Sequence, residues 1–204
     1  MSDRPRSGVV LAGGYSTRFG EADKALAAVG GRPMLARVVD RLAAVVDRII
    51  VSCRADQQSA FEAALEAVGG GTPVEFVLDP DPDEGPLAGL AASLAAVETT
   101  YAAVVACDMP FVDPTFVAVL FERAAGHDAA VPELDDGHLQ PTQAVYRADQ
   151  LRAVAARRLA ADRRSLHGAL DELDTVVLPA STVAAHTDWR SLRDVNSRAD
   201  LEEL

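Results

Sequence analysis

Lysine is almost absent from this chain of 204 residues, because 18 of its 19 basic residues are arginine and the only lysine is Lys24. Cysteine is also scarce: Cys53 and Cys107 stand apart, without the spacing of a zinc site or a disulfide framework. No apolar run approaches the roughly 20 residues that span a bilayer, and no apolar segment follows the N-terminal arginines as in a signal peptide. These absences argue against membrane-spanning and secreted proteins, and they favour a reduced, cytoplasmic setting.

Positive charge is scarce as well, since 31 acidic residues against 19 basic ones give a net charge of −12. A surface this acidic repels phosphate backbones, so we expect neither nucleic acid nor a membrane as a partner. Either a GC-rich genome, which favours arginine codons, or adaptation to high salt explains this composition. In both cases the only lysine stands beside a glycine-rich segment, which makes it a candidate functional residue.

Several common functional signatures are missing too. The GxGxxG spacing of dinucleotide-binding enzymes does not occur, and Lys24 lacks the glycine spacing of a P-loop. No GxSxG motif is present to anchor a hydrolase triad, and none of the four histidines has metal-ligand spacing. These absences argue against a typical dehydrogenase, a P-loop NTPase and a serine hydrolase.

Short β-rich runs alternate with helical stretches along the chain, which predicts an α/β fold with a mostly parallel sheet flanked by helices. The pattern shows no repeats and no interdomain linker, so we expect a single domain over residues 1–204. Predicted strands cover residues 8–11, 48–52, 74–78, 101–107, 129–132, 142–146 and 175–178. Predicted helices cover residues 34–46, 61–68, 87–97, 114–125, 149–161 and 165–173, and Ser197 and Asp200 have capping-box spacing before a last short helix.

A glycine-rich loop follows the first predicted strand. Its glycines allow backbone N–H groups to approach an anion closely, and Gly13, Gly14 and Gly20 are placed to do so. Arg18 and Lys24 add positive charge to the same segment of an acidic protein. The pattern therefore indicates a phosphate-binding loop, although an exposed turn that carries two basic residues is the alternative interpretation.

Asp108 follows a predicted strand that is hydrophobic throughout. Ligands collect at the carboxyl ends of the strands in open α/β sheets, so a carboxylate at this point faces the cleft. Mg²⁺ takes oxygen ligands and often only one or two protein carboxylates, with water and phosphate completing its shell. Asp108 is thus the candidate ligand for Mg²⁺, and the alternative is an aspartate that opens the turn before Pro110. Asp79, Asp81, Asp83 and Asp113 are weaker candidates and are better explained as turn formers.

Several of these elements resemble one family in combination. The chain carries LAGGYSTRFGEADKAL at residues 11–26, GGRPML at 30–35, GPLAG at 85–89 and CDMPFV at 107–112. These elements resemble the signature of the MobA-like NTP transferases, and the DK pair with GPLAG resembles the molybdenum cofactor guanylyltransferases within that family. The resemblance implies a single-domain Rossmann-like nucleotidyltransferase fold over residues 1–204. It also implies a nucleotide-binding part over residues 1–114 and an acceptor-binding part over residues 115–204.

The resemblance also assigns roles to residues. It implies catalytic roles for Arg18, Lys24 and Asp108, with Mg²⁺ bound at Asp108. It implies guanine recognition by Asp79, a nucleotide contact near Ser52 and acceptor binding by Asn196. Further nucleotide contacts are expected from the backbone of Leu11, Ala12, Gly13 and Gly14. This chain departs from the family pattern at three positions: Ser52 replaces an asparagine, Gln140 a histidine, and Asp194 the first asparagine of an NVN element. The alternative interpretation of Asp79 is a turn residue before Pro80. The alternative interpretation of Asn196 is a residue that caps a helix.

The activity that the resemblance implies is transfer of GMP from GTP to molybdopterin or Mo-molybdopterin, with release of pyrophosphate. Other molybdenum cofactor biosynthesis proteins are then expected as partners. Another nucleotidyltransferase of the same fold is one alternative, with a cytidylyl donor or with a sugar-phosphate, cobinamide-phosphate or phospholactate acceptor. A catalytically silent nucleotide-binding module is a second, and an NAD-linked oxidoreductase is a third that the missing GxGxxG disfavours.

Overall fold

Seven strands form one sheet in the computed structural model, which describes residues 4–14, 23–66, 71–79, 85–197 and 200. In chain order they are β1 (Ser7–Leu11), β4 (Arg48–Cys53), β5 (Val74–Leu78), β6 (Tyr101–Ala106), β7 (Ala129–Pro132), β8 (Gln143–Arg147) and β9 (Thr175–Leu178). Their spatial order is β5-β4-β1-β6-β8-β7-β9. The first four of these are mutually parallel, β8 runs antiparallel to both β6 and β7, and β9 is parallel to β7.

Helices cover both faces of this sheet. They are α1 (Met34–Leu42), α2 (Gln58–Leu65), α3 (Pro86–Ala95), α4 (Pro114–Ala124), α5 (Ala148–Ala160), α6 (Leu166–Leu170) and α7 (Ala180–His186). Alternate residues of a strand point to opposite faces, so Val10 packs in one core layer and Val9 in the other. The Val10 layer lies against α1, α2, α4 and α7, and the Val9 layer lies against α3, α5 and α6. The expected α/β fold with a mostly parallel sheet is confirmed.

The predicted elements agree closely with the structure where the hydrophobic runs are clear. The predicted bounds of the strands at 74–78, 129–132 and 175–178 match the structure. Three other strands differ by one residue at one end, and the strand predicted at 142–146 differs by one residue at each end. The first helix is shorter than its apolar stripe suggested, since it ends at Leu42 although Val45 and Val46 still contact the core. The sequence did not predict helix α7, the hairpin of β2 (Ala28–Val29) and β3 (Arg32–Pro33), or the 3₁₀ helices Lys24–Leu26 and Trp189–Leu192.

Parallel pairing of four strands places the segments that follow them next to one another. The carboxyl ends of β5, β4, β1 and β6 lie side by side, so the segments that follow these strands meet at one edge of the sheet. These segments begin at Asp79, Arg54, Ala12 and Cys107. Within the described residues, no helix is long and apolar enough to cross a membrane.

Candidate active site

Lys24 lies at the centre of a polar cluster that joins distant parts of the chain. Its Nζ donates a hydrogen bond of 2.9 Å to Oδ2 of Asp108, which is 84 residues away in sequence. The same Nζ donates a second bond, of 2.7 Å, to Oδ1 of Asn196, which is 172 residues away. Only 14% of the Lys24 side chain and 23% of the Asp108 side chain are exposed. The structure therefore brings together three residues that the sequence had singled out separately.

The backbone around Lys24 is fixed by the residue before it. Lys24 opens a short 3₁₀ helix, Lys24–Leu26, and the Oδ1 atom of Asp23 caps this helix by accepting a bond of 2.9 Å from the amide of Ala25. A carboxylate in this position satisfies a backbone donor that the short helix leaves unpaired. The cap directs the lysine side chain toward Asp108. Arg18, the other basic residue of the predicted loop, lies outside the described residues, as does Gly20.

Asp108 lies after β6, as the sequence predicted, although the strand ends one residue earlier than predicted, at Ala106. Its backbone oxygen accepts a bond of 2.8 Å from the amide of Val195, so the C-terminal segment is tied to the end of the central strand. One carboxylate oxygen faces Lys24, and the other receives no hydrogen bond from the described residues. A partly exposed oxygen ligand of this kind fits Mg²⁺, which completes its shell with water and phosphate. No group of three or more candidate metal ligands occurs among the described residues.

The start of the glycine loop is attached to both neighbouring strands. The oxygen of Leu11 accepts a bond of 3.0 Å from the amide of Cys107, and the amide of Ala12 donates a bond of 2.9 Å to the oxygen of Ser52. A side chain at Gly14 would meet nothing within 4 Å, so this part of the backbone borders open space. The predicted loop thus begins directly between the ends of β4 and β6.

A second polar cluster lies at the end of β5, around Asp79. The amide of Asp79 donates a bond of 2.8 Å to the oxygen of Cys53. A Cβ atom placed on Gly89, in helix α3, would lie 2.8 Å from Oδ2 of Asp79 and 2.9 Å from Oγ of Ser52. A Cβ atom on Gly13 would lie 3.5 Å from the same Asp79 oxygen. The Asp79 carboxylate therefore lies beside Ser52 and between two glycine backbones, which explains why the GPLAG element needs its second glycine.

The two clusters are separated by three strand positions. Asp79 follows β5 and Asp108 follows β6, with β4 and β1 between them. Neighbouring strands lie about 4.8 Å apart, so these two positions are roughly 14 Å apart across the sheet.

The predicted acceptor side also reaches this edge of the sheet. The oxygen of Thr142 accepts a bond of 2.8 Å from the amide of Ala106, which places the start of β8 beside the end of β6. Asn196, besides binding Lys24, donates through Nδ2 to Asp194. The expected capping box is confirmed, because Ser197 and Asp200 bond to each other's amides at 2.7 and 3.2 Å. Those two residues supply the reciprocal cap, which leaves the Asn196 side chain directed to Lys24.

The weaker candidates have structural roles where the structure describes them. Asp113 caps helix α4 by accepting from the amide of Thr115, and it accepts a second bond from Thr187. Asp81 and Asp83 lie outside the described residues. Both cysteines are free and buried. Burial raises the pKa of the Cys107 thiol far above its usual range, and the charge of Asp108 raises it further, so Cys107 is not a nucleophile.

Three polar residues at this edge were not assigned a role from the sequence. The side chain of Gln57 donates to the oxygen of Ala12 at 3.2 Å and to the carboxylate of Asp23. Arg54 donates bonds of 3.0 Å to the oxygens of both Gly13 and Gly14. Asp23 is the acidic member of the DK pair, and that pair was the only sequence signal for any of the three.

Comparison with known proteins gives a family match and sequence relatives that cover most of the chain. The sequence profile of the MobA-like NTP transferase domain matches residues 8–176. A protein of Natronomonas pharaonis, called a probable molybdenum cofactor guanylyltransferase, is 44% identical over 197 residues, which cover 97% of this chain and 95% of that protein. A protein of Haloferax mediterranei with the same description is 37% identical over 203 residues, covering 99% of this chain and 94% of that protein.

Solved structures share the fold. Molybdopterin-guanine dinucleotide biosynthesis protein A from Archaeoglobus fulgidus superposes with a TM-score of 0.77 at 24% identity, covering 97% of this chain and 95% of that one. A 4-diphosphocytidyl-2C-methyl-D-erythritol synthase from Anaerococcus prevotii gives a TM-score of 0.73 at 16% identity, covering 98% and 94%. The profile match and the two sequence relatives together show that the chain belongs to the MobA-like NTP transferase family.

Proposed function

We propose that the protein is a molybdenum cofactor guanylyltransferase, which transfers GMP from GTP to molybdopterin or Mo-molybdopterin and releases pyrophosphate. The observation that carries this proposal is the convergence of Lys24, Asp108 and Asn196 at the strand edge where the glycine loop begins. The descriptions of the two relatives from Natronomonas pharaonis and Haloferax mediterranei support the choice of donor and acceptor.

In the proposed reaction, a phosphate oxygen of the acceptor attacks the α-phosphorus of GTP. A new P–O bond forms there while the bond to the β-phosphate breaks, and the electron pair leaves with pyrophosphate. The acceptor phosphate is already ionised near neutral pH, so the site needs no strong general base. Catalysis then depends on positioning the two substrates and on neutralising the charge of the phosphates.

Lys24 supplies that positive charge in the proposal, together with Arg18. Only 14% of the Lys24 side chain is exposed, so its charge is weakly screened by water and acts strongly on a phosphate that enters the site. Asp108 would hold Mg²⁺ through its carboxylate. A bound Mg²⁺ would neutralise negative charge that builds up on the phosphate oxygens during transfer. Asn196, bonded to Lys24, is proposed to orient the acceptor at the same point.

The guanine base is proposed to bind at Asp79. Guanine presents its N1–H and N2–H groups side by side, and a carboxylate accepts both in parallel. The close approach of Gly89 keeps the Asp79 carboxylate beside Ser52 and near Gly13. The backbone of Leu11, Ala12, Gly13 and Gly14 would then contact the nucleotide between the two clusters.

An assay of magnesium-dependent pyrophosphate release tests the proposal. GTP, CTP and ATP would each be offered with molybdopterin and, separately, with sugar phosphates. We expect release with GTP and molybdopterin, and little release with either other nucleotide. Release with a sugar phosphate but not with molybdopterin would contradict the proposed acceptor, and no release under any pairing would favour a catalytically silent nucleotide-binding module.

A further inference from the structure

Gln57 is buried beneath the glycine loop, with only 4% of its surface exposed. Its Nε2 donates 3.2 Å to the oxygen of Ala12, at the start of the loop, and also to Oδ2 of Asp23, at the end of the loop. Its Oε1 accepts a bond of 2.8 Å from the amide of Arg54. One side-chain amide therefore links both ends of the segment between Ala12 and Asp23, which are 11 positions apart in the sequence.

Arg54 adds a second connection to the same segment. Its Nη1 donates to the oxygens of Gly13 and Gly14 at 3.0 Å each, and its Nη2 lies 3.8 Å from Oδ2 of Asp23. Only 12% of the Arg54 side chain is exposed. We call Gln57, Arg54 and Asp23 together the loop clamp. The bonds given above connect the loop clamp to both ends of the glycine loop, and Arg54 also pairs with Asp56.

The loop clamp is connected to Lys24 through Asp23. The Asp23 carboxylate uses one oxygen to accept from Gln57 and the other to cap the 3₁₀ helix that Lys24 opens. A shift of Asp23 would therefore move the Lys24 backbone, and with it the Nζ atom that contacts Asp108 and Asn196. Small errors of position are costly at a site that works by charge neutralisation, because such a site depends on preorganised groups.

We propose that Gln57 is a positioning residue, which fixes Ala12 and Asp23 to each other and so presets Lys24 and the two ends of the glycine loop for the triphosphate. This inference rests on the proposed function, since it takes Lys24 to bind the nucleotide. Gln57 contacts no substrate in this role. Its effect on GTP is indirect and passes through Asp23.

An amide is the side chain that these contacts require. Gln57 needs two N–H donors for the oxygens of Ala12 and Asp23, and one oxygen to accept from Arg54. Leucine removes all three bonds at similar volume, and glutamate would place a negative charge against two acceptors. Asp23→Asn tests the same link from the other side. Gln57 and the amide of Ala25 donate to different oxygens of Asp23, and in asparagine one of these oxygens becomes an NH₂ group that cannot accept.

The test compares Gln57→Leu, Asp23→Asn and a control, Gln58→Leu, in the full chain. Gln58 is the next residue, and within the described part of the chain its side chain bonds to Glu62, on the outer surface of helix α2. Hydrogen exchange is measured first, without nucleotide, at the amide of Ala25. GTP affinity in the presence of Mg²⁺ is then measured by calorimetry, together with the KM values for GTP and for molybdopterin.

In Gln57→Leu and Asp23→Asn we expect exchange at Ala25 about tenfold faster, because the Asp23 side chain that accepts from this amide is no longer held in place. We expect GTP to bind about tenfold more weakly, and the KM for GTP to rise while that for molybdopterin stays unchanged. Gln58→Leu should match the wild type in every measurement. A purely structural role for Gln57 would instead lower the melting temperature and change both KM values together.

Two results would overturn the inference. Unchanged exchange at Ala25 would show that Gln57 does not fix the end of the loop, and faster exchange with unchanged GTP affinity would show that the clamp does not serve the nucleotide. Failure of the proposed function would give a different result from these two, because the wild-type chain would then bind no GTP. The comparison of hydrogen exchange at Ala25 would still decide whether the loop clamp exists.

Discussion

The glycine at position 89 offers a sharp test of base recognition. In Gly89→Ala the new Cβ atom would lie 2.8 Å from Oδ2 and 3.3 Å from Cγ of Asp79. Ordinary van der Waals contact begins at 3.4 Å, so the carboxylate must retreat by about 0.6 Å or rotate away. Either movement takes the Asp79 carboxylate away from the position in which it can accept from both N1–H and N2–H of guanine.

The expected loss follows from the contacts that are disturbed. A hydrogen bond to a charged group contributes roughly 1.5–3 kcal/mol, so losing one of the two should weaken GTP binding by about 10- to 150-fold. Alanine is favoured over glycine inside a helix by up to about 1 kcal/mol, so helix α3 itself should not be destabilised. The expected signature is therefore weaker nucleotide binding in a protein that remains folded.

The assay is kcat/KM for GTP and for ITP, whose base lacks the 2-amino group. The preference for GTP over ITP should shrink in Gly89→Ala and in Asp79→Asn. Gly8→Ala is the control, because its added methyl group would lie 3.4 Å from Leu42 in ordinary contact, far from the Asp79 cluster. An unchanged preference for GTP in both Gly89→Ala and Asp79→Asn would refute guanine recognition by Asp79.

Two further predictions concern the Lys24 cluster and the cysteines. Asp108→Asn and Lys24→Met should each lower turnover by about 10²–10³-fold, as removal of one charge-stabilising group does elsewhere. Both should keep the wild-type circular dichroism spectrum, because Lys24 and Asp108 belong to neither of the two hydrophobic core layers. Turnover within a few-fold of wild type would contradict their assignment. Burial raises the pKa of Cys53 to about 11 and that of Cys107 further. A raised pKa keeps the thiol protonated until the pH approaches that value. Iodoacetamide should therefore label neither cysteine at pH 8 in the folded protein, and both cysteines in denaturant. Labelled native protein in the mass spectrum would contradict this prediction.

The sequence predicted much of the fold because the strands are short apolar runs between clear turn signals. Strand β5 was predicted to the residue for this reason. The hairpin of β2 and β3 was not predicted, because strands of two residues are too short to show an alternating pattern. Its turn depends on Gly30 and Gly31, whose φ angles of 57° and 79° suit glycine, and these positive angles cannot be read from composition.

The site was predicted less completely than the fold. Asp108 and Lys24 were each identified, one from its place after a buried strand and the other from its rarity in the chain. Their contact at 2.9 Å could not be predicted, since it depends on how β1 and β6 pair in three dimensions. Gln57 belongs to no motif and has no pattern around it, so only the structure reveals its bonds to both ends of the loop.

The most direct test of nucleotidyl transfer follows the phosphorus atoms of GTP. The wild-type protein would be incubated with Mg²⁺, molybdopterin and GTP labelled either at the α- or at the γ-phosphorus, and the products would be separated. We predict that the α-label appears in a guanine dinucleotide of molybdopterin and that the γ-label appears only in pyrophosphate. A γ-label in inorganic phosphate or on the acceptor would instead show hydrolysis or phosphoryl transfer, and it would contradict the proposed reaction.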